Sequence, residues 1–225
     1  MSQSAKQFVA ELRTRFERSA SGENAAAMKA YMRGQFDFFG IKSTERRDLL
    51  REQVSENGLP EIAQLRTVVS LLWREPNREM QHSAMELLHR RVKELSLEDL
   101  PLLEAMITTK SWWDTVDFIS YKLVGQILIR HPRKQSAIAR RMANSGHLWL
   151  IRVSIIFQLL RREGTARTLL ATMIRKQAEY PDFFIRKAIG WALRDYAKTD
   201  PDWVRRFVKK TALSPLSKRE ALKNL

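Results

Sequence analysis

Apolar residues recur along the chain at helical spacing. Phe8, Leu12 and Phe16 share one side of a helix, and Leu65, Val68, Val69 and Leu72 share one side of another. Alternating Val, Ile and Thr runs bounded by turns, which would predict strands, do not recur. Helix starts are signalled repeatedly. Ser96-Leu97-Glu98-Asp99 reads as a capping box with Asp in place of Glu, and Ser217-Lys218-Arg219-Glu220 as a full one. Asp200-Pro201 places a cap before a proline in the first turn. Breaks fall at Gly22, Asn57-Gly58, Glu75-Pro76-Asn77, His131-Pro132, Ser145-Gly146, Gly164 and Tyr180-Pro181, mostly 10–20 residues apart. The pattern predicts an all-α chain of about ten to twelve helices. No Ser/Gly- or Pro-rich stretch marks a linker, so residues 1–225 read as a single domain.

The helices also resemble one another. The stretches around Arg46, Gln81, Asp117, Arg152 and Arg186 align as one column with spacings of 35, 36, 35 and 34 residues. A period near 35 with two helices per repeat predicts an α-solenoid of degenerate HEAT-like repeats; the Trp–Gly–Tyr pattern of tetratricopeptide repeats is absent. Equivalent positions of stacked repeats line one face, often the concave one. Three of the five column residues are Arg. A row of Arg on a concave basic face would track a phosphate backbone. The same residues would equally bridge or cap neighbouring helices.

Charge sharpens this picture. The chain carries 40 Lys and Arg against 25 Asp and Glu, a formal net charge of +15, with 44% hydrophobic residues. The hydrophobic content is that of a folded domain, and the charge favours an anionic partner, nucleic acid foremost. The absence of cysteine excludes disulfides, thiolate metal sites and a thiol nucleophile. No apolar run approaches the ~20 residues of a membrane span. The start, Met1-Ser2-Gln3-Ser4-Ala5-Lys6, leads into an amphipathic helix and not a signal-peptide core, so a cytoplasmic protein is expected. His82, His89, His131 and His147 show no metal-ligand spacing, and phosphate-binding glycine loops and nucleophile elbows are missing. No metal or cofactor is expected.

Thr109-Lys110-Ser111-Trp112-Trp113-Asp114-Thr115-Val116-Asp117 is the least ordinary segment. Thr109 or Ser111 would cap the following helix. Trp113 and Asp117, four apart, share a face of it, while Trp112 points toward the core. Asp114 suits the dipole of the first turn. Asp117 is the only acid in a column of Arg and Gln. It is either held ionised on a basic surface by its neighbours or paired with an Arg of the next repeat, Arg152. Trp191 and Tyr31 read as core aromatics or as walls of a site. A carboxylate flanked by indoles would suit a cationic substrate.

At these residues the sequence resembles the AlkD family of alkylpurine DNA glycosylases, which are HEAT-like repeat proteins. The resemblance rests on Lys110-Ser111-Trp112-Trp113-Asp114-Thr115-Val116-Asp117, on Trp149-Leu150-Ile151-Arg152, and on the stretch from Lys187-Ala188-Ile189-Gly190-Trp191 to Lys198. It extends to the tail from Ser214 to Ala221 and to Tyr31-Met32, Phe39-Gly40-Ile41 and Glu45-Arg46-Arg47, so it covers nearly the whole chain. Thr44 departs from it, standing in a loop where a proline is expected. The resemblance implies Asp117 as the catalytic carboxylate, Trp113 and Trp191 as active-site tryptophans, and Arg152 and Tyr31 as DNA contacts. Arg46, Arg186 and Lys110 are further candidates for the DNA-binding surface. It implies hydrolysis of the N-glycosidic bond of positively charged 7-alkylguanine and 3-alkyladenine in duplex DNA, without metal or cofactor, and a concave clamp on a duplex suggests a monomer. The alternative is a non-catalytic helical-repeat module that binds nucleic acid or protein.

Overall fold

The Ser4 hydroxyl accepts from the Gln7 amide and opens the first helix of a computed structural model that describes residues 4–225. Met1, Ser2 and Gln3, the start of the expected leaderless N-terminus, lie outside the described residues. The chain forms two compact units, divided between Glu94 and Leu95 in a short turn of ordinary composition. That is why no linker marks the division in the sequence. Among the described residues no strand occurs beyond one isolated bridge, Asp37 to Asn77. Among the same residues no helix is long and apolar enough to cross a membrane.

The first unit holds α1 (Ala5–Arg18), α2 (Gly22–Tyr31), α3 (Ser43–Asn57), α4 (Ile62–Arg74) and α5 (Arg78–Arg90). Leu12, Phe16, Leu50, Leu65 and Leu72 are fully buried between them. Each such side chain contributes about 1.5–3 kcal/mol. The turn Phe39-Gly40-Ile41 is held by one buried carboxylate: Glu79 accepts from the three successive amides at 3.1, 2.9 and 3.2 Å. Gly40, at φ +89°, packs so closely on α2 that an added Cβ would meet Ser21 O at 2.0 Å, so only glycine fits. Thr44 lies in the first turn of α3 and not in a loop, a position that accepts either threonine or proline.

The second unit holds α6 (Leu100–Thr108), α7 (Trp113–Ile119), a π-helical turn (Ser120–Val124), α8 (Gly125–Arg130), α9 (Pro132–Ala143) and α10 (Leu148–Ile156). It continues with α11 (Arg167–Lys176), α12 (Phe183–Tyr196), α13 (Pro201–Lys210) and α14 (Pro215–Ala221). The capping box at Ser96 and Asp99 forms as expected, as does the Asp200 cap of α13. The box at Ser217 does not form. Ser214 caps α14 instead, Ser217 lies inside the helix, and its hydroxyl donates to Arg186 O at 2.9 Å.

The helical repeats are written into the hydrogen bonds. Arg130 donates to Leu95 O, Arg161 to Gly125 O, Gln177 to Ala143 O, and the Leu160 amide to Asp195, across separations of 35, 36, 34 and 35 residues. Each bond joins a repeat to the next, which is the nearest-neighbour logic of a stacked array. Arg46, Gln81, Asp117, Arg152 and Arg186 each stand at the fourth or fifth residue of α3, α5, α7, α10 and α12. The column is therefore a structural register.

Candidate functional site

The site forms where α6 gives way to α7. Lys110 adopts a left-handed backbone, φ +48°, uncommon for a residue with a side chain. Neither expected cap operates: Thr109 and Ser111 turn their hydroxyls back to Ala105 O and Ile107 O of α6, at 2.6 and 2.7 Å. The extended residue Trp112 precedes α7, whose first turn carries Asp114. Trp112 packs inward, 5.2 Å from the Phe184 ring and 6.0 Å from Trp149 between centroids. Trp113, partly exposed, projects on the same side of α7 as Asp117.

Asp117 is held in a fork. Arg152 Nε donates to Oδ1 at 2.7 Å and Nη2 to Oδ2 at 2.8 Å, while Nη1 donates to Phe184 O at 2.5 Å. One guanidinium on α10 thus fixes a carboxylate on α7 and the first turn of α12. The Arg152 side chain is 6% exposed and that of Asp117 15%. Burial raises the Asp117 carboxyl above the ordinary range; the hydrogen bond and charge of Arg152 oppose this, and the charge of Asp114 adds to it. The basic neighbour expected to favour the ionised form does so, but desolvation outweighs it.

The helix widens immediately after Asp117. Ser120–Val124 forms a π turn, a distortion found disproportionately at functional sites. Gly125 closes it against α10, where an added Cβ would meet Phe157 O at 2.3 Å. The turn carries Tyr121, whose ring stands edge-on to Trp191 at 6.3 Å and 82°. Burial first, and then the Asp117 charge, raise the Tyr121 phenol. Tyr121 therefore contacts Trp191 and lies within the electrostatic reach of Asp117. It was open to sequence reasoning as the residue four after Asp117, whereas the carbonyl of Phe184 carries no side-chain signal.

Trp191 is half-buried on α12 and packs against the core of the second unit. Its neighbour Gly190 lies against α14, where an added Cβ would meet Glu220 Cβ at 2.4 Å. Glu220 pairs with Lys187 at 3.1 Å and Arg194 at 2.9 Å, one turn to either side of Gly190. Lys187 first, with Arg194, holds the Glu220 carboxyl below its usual range.

The remaining candidates divide. Arg186, half-buried, donates to Tyr180 O at 3.3 Å. Arg46 and Tyr31 belong to the first unit. Arg46 is 5% exposed and pairs with Glu86 at 2.6 Å, whereas Tyr31 is 72% exposed at the end of α2. Gln81 is fully buried and donates to Glu75 O at 2.7 Å. Arg46 and Arg152, expected on phosphate, are thus turned inward onto acids of the chain. Among the described residues no three His, Asp or Glu side chains are grouped as a metal site.

The sequence matches the family described as DNA alkylation repair enzyme over residues 12–225. Among solved structures, a predicted DNA alkylation repair enzyme from Enterococcus faecalis is 34% identical with a TM-score of 0.85, over 92% of this chain and 96% of that one. AlkD2 from Streptococcus mutans, 16% identical, shares the fold with a TM-score of 0.68 over 99% of both chains. The protein smu.31 from Streptococcus mutans UA159, also 16% identical, does so with a TM-score of 0.60 over 80% of this chain and 95% of that one. Comparison with curated proteins gives no match.

Proposed function

We propose, for a chain that belongs to the DNA alkylation repair enzyme family, that it is a DNA glycosylase releasing positively charged alkylpurines, 7-alkylguanine and 3-alkyladenine, from duplex DNA. The observation that carries this reading is the largely buried Asp117 carboxylate, whose two oxygens are oriented by Arg152.

An alkylated purine is already cationic, so it leaves without prior protonation. As the bond from C1′ to the base nitrogen breaks, its electron pair neutralises the base and positive charge spreads over the deoxyribose. Asp117 stabilises that charge and orients the water that adds to C1′ and then loses a proton. A preorganised electrostatic contact of this kind is worth about 2.7–4 kcal/mol. The faces of Trp113 and Trp191 add cation–π attraction for the developing charge. Arg152 acts as a positioning residue: its planar fork fixes both carboxylate oxygens.

The test is base release from duplex DNA containing 7-methylguanine. Asp117→Asn should bind the duplex but lose most of the release. A variant that excises at the wild-type rate refutes the assignment of Asp117. Duplex binding by the unaltered chain with no release would instead favour a non-catalytic module.

A further inference from the structure

The charge excess is concentrated. Residues 95–225 hold 24 Lys and Arg against 12 Asp and Glu, so twelve of the fifteen net positive charges belong to the second unit. The buried column does not display them. Three helix ends do. The last turn of α9 carries Arg140 and Arg141, that of α11 Arg175 and Lys176, and that of α13 Lys209 and Lys210. The pairs are spaced by 35 and 34 residues and all six residues are exposed.

Two contacts bring these ends side by side. Gln177, directly after Lys176, donates to the carbonyl of Ala143 at the end of α9. The Arg175 guanidinium lies 5.1 Å from the centre of the Phe207 ring on α13. Within the pairs the roles differ. Arg141 is engaged by Glu104 of α6 and Arg175 by Phe207, so these two are fixed to the fold. Beside Arg175, a cleft of about 290 Å³ opens between the last two ends, lined by Lys176, Glu179, Lys210 and Thr211. A helix dipole accounts for a cation at a C-terminus. It does not call for adjacent pairs in three successive repeats or for two of them to line one cleft.

This edge adjoins the site. Only residues 144–147, 177–182 and 211–214 connect the basic ends to the starts of α10, α12 and α14. Phe184, which receives Arg152, lies in the first turn of α12. Adjacent packed helices are about 8–10 Å apart, a spacing that lets successive ends meet separate phosphates of one strand, which bears a charge every ~3.4 Å of duplex axis.

We propose that the C-terminal ends of α9, α11 and α13 form a rail for the phosphate backbone of duplex DNA. Arg140, Lys176 and Lys210 contact phosphate, and Arg141 and Arg175 hold the rail in place. The proposal rests on the glycosylase reading only in taking duplex DNA as the partner.

The test is binding of undamaged labelled duplex by fluorescence anisotropy, from about 50 to about 200 mM salt. Each lost phosphate contact lowers the salt slope by about 0.9. The triple variant Arg140→Gln, Lys176→Gln, Lys210→Gln should lose about 2.7 units of slope, at three contacts of ~0.9 each, with unchanged circular dichroism. The double variant Arg133→Gln, Lys134→Gln, at the other end of α9, should keep the wild-type slope. An unchanged slope in the triple variant, or an equal loss per charge in the control, overturns the rail. Release of 7-methylguanine is assayed in parallel. If the wild type releases none while the triple variant flattens the slope, the glycosylase reading fails and the rail stands. If release is normal and the slope is unmoved, the rail alone fails.

Discussion

Replacing Arg152 with alanine distinguishes an internal brace from a phosphate contact. The wild-type guanidinium gives two bonds to Asp117, at 2.7 and 2.8 Å, and one to Phe184 O at 2.5 Å. Both side chains are largely out of water, so losing one partner strands the other. Breaking a buried pair in this way costs about 3–5 kcal/mol. Asp117 relieves part of that cost by binding a proton. Burial already raises its carboxyl, and both opposing influences come from Arg152. In the variant, therefore, the folded carboxyl titrates still further above its unfolded value of about 3.9. Such a group destabilises the fold increasingly as pH rises from the unfolded value through the folded one, and not at all below both. Urea denaturation should show Arg152→Ala losing about 3 kcal/mol at pH 7 and clearly less in acid. Adding Asp117→Asn should recover part of the loss, so that the two changes are non-additive by at least ~1 kcal/mol. The salt slope of duplex binding should not move. A loss under about 1 kcal/mol at pH 7, strict additivity, or a slope reduced by about 0.9 would refute the brace and restore the phosphate contact.

Release by the wild-type protein should rise with pH to a plateau, because it needs ionised Asp117, with a midpoint above the ordinary aspartate value of ~3.9 because burial dominates; single-turnover rates across pH check this, and a midpoint at or below that value contradicts it. Tyr121→Phe should preserve release, since the contact with Trp191 is made by the ring, whereas Tyr121→Ala should lower the single-turnover rate with little change in duplex affinity; equal rates for the two variants would deny Tyr121 a positioning role. Gly190→Ala should destabilise the second unit by about 1–3 kcal/mol through overpacking against Glu220, read as a lower thermal midpoint; an unchanged midpoint would mean that α14 shifts freely.

The period near 35 was legible in the sequence because equivalent residues occupy the same turn of successive helices. The direction in which those residues point was not. An Arg has the same spacing whether it faces solvent or an acid, and only the fold brings Glu86 to Arg46. The Asp117–Arg152 pair was one of two open alternatives, and the intramolecular bond is the one that forms. Local signals misled where a hydroxyl had a better partner than the expected amide. Ser111 returns to α6, and Ser217 reaches Arg186 while Pro215 starts the helix earlier under Ser214. The π turn left no trace in the spacing, since Trp113, Asp117 and Tyr121 fit an ordinary helix equally well. The basic helix ends were visible as a second period but were hidden by the stronger column.

Arg152 sits on one repeat, holds a carboxylate from the repeat before it and receives its third acceptor from the repeat after it. Its fork is planar, and its three acceptors belong to two helices, α7 and α12, that pack on either side of its own. The orientation of Asp117 is thus tied to the angle at which those repeats stack. A shift of α7 or α12 against α10 would strain one side of the fork, so the packing of these three helices and the orientation of the carboxylate are coupled through a single guanidinium.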